Sequence, residues 1–120
     1  MNRSIPVRVN LLIENAILQG NVYGRALDSN HFLNILDIEN GRSSRSDLQV
    51  KAYHIFKIVV KEEAIRILHE DHLGVIGFST AKLWKMTPPA VKSTYQACAE
   101  AVDMNIPKRN FVTSANVTAV

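Results

Sequence analysis

From Leu48 the chain reads LQVKAYHIFKIVV, and its side chains sort with a period of two. Val50, Ala52, His54, Phe56 and Ile58 fall on one side, and Gln49, Lys51, Tyr53, Ile55 and Lys57 on the other. Successive side chains of an extended strand point to opposite faces, so this alternation predicts the longest strand of a sheet. Its β-branched and aromatic residues suit a pleated surface. A strand of this kind needs neighbours, and the rest of the chain is read for them.

IPVRVNLLIEN also alternates, with Val7, Val9, Leu11 and Ile13 opposite Arg8, Asn10 and Glu14. It predicts a first strand, and AILQGNVYG a second that pairs with it as a hairpin, Gly20 marking a bulge or corner. Asp28 or Ser29 then caps a short helical turn bearing Phe32, Leu33 and Leu36, which leads into a further strand; HFLNILDI also reads as strand throughout. The polar tract ENGRSSRSD, residues 39–47, reads as an exposed loop. AIRIL and LGVIGF read as a hairpin around HEDH. At Thr87 the period changes. Thr87 as cap and Pro88 at the first position open a helix over 88–104, in which Val91, Tyr95, Cys98 and Val102 form one apolar stripe. The helix stops before Pro107, and the tail FVTSANVTAV, residues 111–120, reads either as an edge strand or as a disordered end. The expected fold is therefore mainly β (α+β): five to six strands in a small bent sheet or barrel over 1–86, with the C-terminal helix and tail of 87–120 packed on the same single domain.

A length of 120 residues and 47% hydrophobic content suit one domain with one core. Positive charge at MNRSIPVRVN is followed by no apolar h-region, and no apolar run reaches the length of a membrane span, so a cytoplasmic protein is expected. The single cysteine, Cys98, excludes an internal disulfide and a cysteine-built zinc site; on the apolar stripe it reads as a small hydrophobe. The net charge of +3 lies wholly beyond residue 72, where Lys82, Lys85, Lys92, Lys108 and Arg109 face only Glu100 and Asp103.

Few residues carry chemistry. ILHEDH, residues 67–72, sets His69 and His72 around an acidic pair; in a helix they would share a face and a metal, but between two β-like segments they read as a charged turn. His54 reads as a histidine satisfied by a backbone group, with a buried general base as the alternative. The carboxylates Glu62, Glu63, Glu70 and Asp71 read as a solvated rim, and the glycines match no phosphate-binding loop. No cofactor is expected. KLWKM places Trp84 between Lys82 and Lys85, and Lys108 and Arg109 precede Phe111; cations interleaved with aromatics are what single-stranded nucleic acid binding uses. Trp84 reads first as a plug packed against the barrel end; if exposed, it would serve equally as an interface anchor.

In the order G-N-V-Y-G, then HFLNILD, then VVKEEAIRIL, the chain resembles small prokaryotic β-barrel proteins of uncharacterised function over residues 7–68. The resemblance implies a compact barrel and carries over no activity and no site residues. Sheet edges and an apolar helix stripe need covering, so the leading expectation is a non-enzymatic interaction or assembly module, oligomeric or part of a larger complex, with Trp84, Met86, Val91, Tyr95 and Val102 in contact. The alternative is a nucleic-acid-binding barrel using Lys82, Trp84, Lys85, Lys108 and Arg109, and a second alternative is a metal-dependent enzyme on His69 and His72.

Overall fold

In the segment expected to be the longest strand, the buried side chains are Ala52, Ile55, Phe56, Val59, Val60, Glu63 and Ala64. Steps of three and one in alternation are the signature of one face of a helix. The computed structural model describes residues 4–20, 22–42 and 50–105, and its elements are five helices: α1 (Ile5–Gln19), α2 (Ser29–Arg42), α3 (Ala52–Leu68), α4 (Leu73–Met86) and α5 (Pro89–Asn105). Among the described residues there is no strand. The mainly β fold, the small bent sheet or barrel over 1–86, its five to six strands and the barrel implied by the resemblance are all corrected by this. The physical reason is that strand propensity measures fit to a half-buried pleated surface, and tertiary packing overrides it. In α3 a core closed on several sides rewards Ile55, Phe56, Val59 and Val60 as helix residues.

The helix ends account for the punctuation misread as turns between strands. α1 carries Pro6 in its first turn, where the missing N–H removes no helical bond. It runs through AILQ to Gly20, whose φ of 70° takes the left-handed region while its N–H returns to the Ile17 carbonyl. That glycine is a helix stop and not a barrel corner. Asp28 does cap: its Oδ1 accepts from the Asn30 N–H at 3.0 Å. The helix it starts is no short turn but runs to Arg42, with Phe32 and Leu36 buried. Thr87 is the start signal that failed. Its hydroxyl donates backwards to the Leu83 carbonyl at 2.6 Å and closes α4, while α5 begins at Pro89. The expected C-terminal helix is present, one residue later than its predicted start.

α3 is the central helix, packing on α1, α4 and α5, while α1 also packs on α4 and α2 on α5. Leu12, Ala16, Phe32, Ile55, Phe56, Val59, Val60, Val75, Leu83, Ala99 and Val102 form the dry centre. Three long-range hydrogen bonds tie the connections down. Tyr95 donates to the Val22 carbonyl at 2.6 Å, Tyr23 to the Leu83 carbonyl at 2.9 Å, and Asp103 accepts from the Val50 N–H at 2.9 Å. Residues 43–49, including most of the expected loop at 39–47, and the tail at 111–120 lie outside the described residues.

Candidate functional site

HEDH is a connection between helices, not between strands. His69 ends α3 with φ 58°, its N–H bonded to the Ile65 carbonyl at 3.0 Å. His72 opens α4, its Nδ1 accepting from the Gly74 and Val75 N–H groups at 3.1 and 3.3 Å. Between them Glu70 receives Arg8 of α1 at 2.8 Å and 3.1 Å. Both histidines thus serve helix ends, and among the described residues no group of three or more histidines, cysteines, aspartates or glutamates is placed to hold a metal ion. His54, the other singled-out histidine, also serves a helix end: its Nδ1 accepts from the Lys51 N–H at 3.1 Å ahead of α3.

The expected contact residues separate. Tyr95 and Val102 are buried and Val91 packs against the core from a partly covered position, so the α5 stripe faces inward onto α3. Trp84 is partly buried in an aromatic cluster, its ring centroid 4.9 Å from Phe56, 5.8 Å from Tyr53 and 6.3 Å from Tyr95. The Lys92 ammonium stands 5.1 Å from the same ring, a cation–π contact. Trp84 is thus engaged with core aromatics and with Lys92. Lys108 and Arg109 lie outside the described residues. Met86, Lys82 and Lys85 are exposed.

These three belong to one feature. α4 buries Val75, Ile76, Ser79, Thr80 and Leu83, which fixes its rotation and turns Phe78, Lys82, Lys85 and Met86 outward. Spaced four, three and one residues apart, the four sit on a single arc of the helix. Phe78 is 61% exposed and Met86 56% exposed. Beside Phe78 and Lys82 runs a shallow groove of about 190 Å³, completed by Ile5, Pro6 and Val9 of α1. α4 contains no acidic residue. The arginines with described side chains all meet carboxylates, Arg8 with Glu70 at 2.8 Å, Arg25 with Glu62 at 2.9 Å and Arg66 with Glu63 at 2.7 Å. Lys82 and Lys85 form no ion pair among the described residues. Phe78 was missed because Gly74 and Gly77 made LGVIGF read as a bent strand; a helical projection of residues 73–86 puts it beside the lysines.

Cys98 is buried, and desolvation, followed by the nearby Asp28 carboxylate, pushes its thiol above the usual range, so it stays protonated. Glu62 is shared by Arg25 and by His31, whose Nε2 lies 2.5 Å away. No described helix is long and apolar enough to cross a membrane. Compared with known proteins, the chain matches no family model, no curated protein and no solved structure, so the arc on α4 is interpreted from its own chemistry.

Proposed function

We propose that this protein is a non-enzymatic interaction module whose α4 arc docks an acidic, apolar-anchored segment of a partner protein. The observation that carries the reading is the placement of two large exposed apolar side chains, Phe78 and Met86, on the same arc as two lysines that form no ion pair among the described residues, on a helix without acidic residues. Exposed aromatics beside a groove are what interface anchors look like, since covering them with a partner removes them from water. Lysines at the rim draw in an acidic partner and fix its register. A second copy of the chain fits less well, because a two-fold contact would set Lys82 and Lys85 against their own equivalents. The reading goes with a cytoplasmic setting, as the single thiol suggests.

The test uses a labelled amphipathic peptide with a leucine stripe flanked by glutamates, and a control with lysines in their place, followed by fluorescence anisotropy. The glutamate peptide is expected to bind and the lysine peptide not. Phe78→Asp and the double change Lys82→Glu, Lys85→Glu should each weaken binding at least about tenfold while leaving the thermal midpoint within about 2 °C, because these side chains are outside the core. Equal binding of both peptides, or of wild type and variants, would refute the proposal. So would a concentration-dependent dimer in native mass spectrometry that Phe78→Asp dissolves, which would make a second copy the occupant.

A further inference from the structure

We infer that a second groove, between α2, α3 and α4, is a binding site for a small apolar monoanion of the medium-chain carboxylate type. The groove has a volume of about 310 Å³ and is lined by Leu36, His54, Lys57, Ile58, Lys61, Leu73 and Ile76. It shares no residue with the α4 arc and stands independently of the function proposed for that arc.

Three features fix the chemistry of the occupant. The first is the wall: Leu36 from α2, Ile58 from α3 and Leu73 and Ile76 from α4 are aliphatic, and water against them is poorly bonded. Leu73 stands out, 81% exposed at the first position of α4, at the edge of the cavity. A hydrocarbon body in the groove would cover it. The second is charge. His54, Lys57, Ile58 and Lys61 lie on one stripe of α3, and Lys57 and Lys61, one turn apart, repel each other. Neither lysine forms an ion pair among the described residues, whereas Arg8, Arg25 and Arg66 each meet a carboxylate. One anionic head group between the two ammonium groups would relieve that repulsion. The third is size. About 310 Å³ is at the lower limit of small-molecule sites, which run from about 300 to 1,000 Å³, so a single short chain fits and a peptide helix does not.

The probe is decanoate, titrated into the ¹⁵N-labelled full chain, with decanol as the uncharged match. Saturable 1:1 binding with Kd between about 10 µM and 1 mM is expected for a ligand of this size. The perturbed amides should lie in 54–61 and 73–76, and decanol should bind at least about tenfold more weakly. Lys57→Gln with Lys61→Gln should weaken decanoate by a similar factor and leave decanol unchanged. Leu73→Ser, at a position too exposed to matter for folding, should weaken both. The inference is overturned if decanoate fails to saturate up to its solubility limit, if decanol matches it, if the lysine variant keeps wild-type affinity, or if the perturbed amides map to the α1–α4 groove instead.

Discussion

Removing one oxygen atom, with Tyr95→Phe, tests the fold most directly. Tyr95 lies on α5, 1% exposed, with its ring edge-on to Phe56 at 5.0 Å, and its hydroxyl donates to the carbonyl of Val22, itself 1% exposed, at 2.6 Å. Phenylalanine keeps the ring contacts and deletes only that bond. The loss is the net value of a hydrogen bond, about 1 kcal/mol, plus the penalty for leaving a buried carbonyl unpaired, about 1 kcal/mol or more, so about 2 kcal/mol in all. For a chain of this size that lowers the thermal midpoint by about 8 °C. Tyr53→Phe is the control: Tyr53 is 37% exposed, and its loss of hydroxyl should stay within about 0.5 kcal/mol.

The same residue sets a pH dependence. Burial, the largest influence, raises the Tyr95 phenol well above the ordinary tyrosine value. A raised pKa means the folded state holds its proton longer than the unfolded state, so Tyr95 contributes stability in full below about pH 10 and loses it as pH climbs above that towards the folded-state pKa. Urea titrations at pH 8 to 11.5 should show the difference in unfolding free energy between wild type and Tyr95→Phe shrinking above pH 10, by up to about 1.4 kcal/mol per unit. Lysine titration is common to both proteins and cancels in the difference. A Tyr95→Phe variant as stable as wild type at pH 8, or a constant difference across the range, would refute the buried hydrogen-bonded phenol and with it the placement of α5.

Two smaller changes examine other links. His72→Ala removes the acceptor for the Gly74 and Val75 N–H groups and should cost about 1 kcal/mol by chemical denaturation, whereas His72→Asp keeps an acceptor and adds a favourable charge at the start of α4, restoring most of the loss. If Asp and Ala behave alike at this position, the capping role is wrong. The Ser79 hydroxyl is buried on α4 and finds no hydrogen-bond partner among the described residues. Ser79→Ala should therefore be neutral or stabilising by up to about 1 kcal/mol in the same assay; a clear destabilisation would reveal a partner for that oxygen.

Read alone, the chain contained most of the local signals and assigned several to the wrong element. Asp28 reads as a cap and HEDH as a connection, and both act so, though HEDH joins helices; Gly20, which reads as a bulge inside a strand, is a helix stop. The error lay in the period between them. LQVKAYHIFKIVV supports alternation of two as well as a helical face, because Tyr53, Ile55 and Phe56 offer apolar matter to both, and Glu63 occupies a buried helical position that a hydrophobic pattern skips. A buried glutamate of this kind is tolerated because Arg66, one turn on, holds its carboxylate at 2.7 Å, a pairing visible only once the helix exists.

The C-terminal helix marks the division most clearly. Spacings of four, three and four between Val91, Tyr95, Cys98 and Val102 determine by themselves that residues near 88–104 form an amphipathic helix, because only that geometry gathers them into one stripe. Whether the stripe meets a partner or the protein's own core depends on the other helices. Here α3 supplies Phe56 and its neighbours, so Tyr95 and Val102 are consumed inside, while Phe78 and Met86 of α4 find no cover within the described residues. Local sequence sets which face of a helix avoids water; the assembled bundle decides which of those faces find cover within the chain.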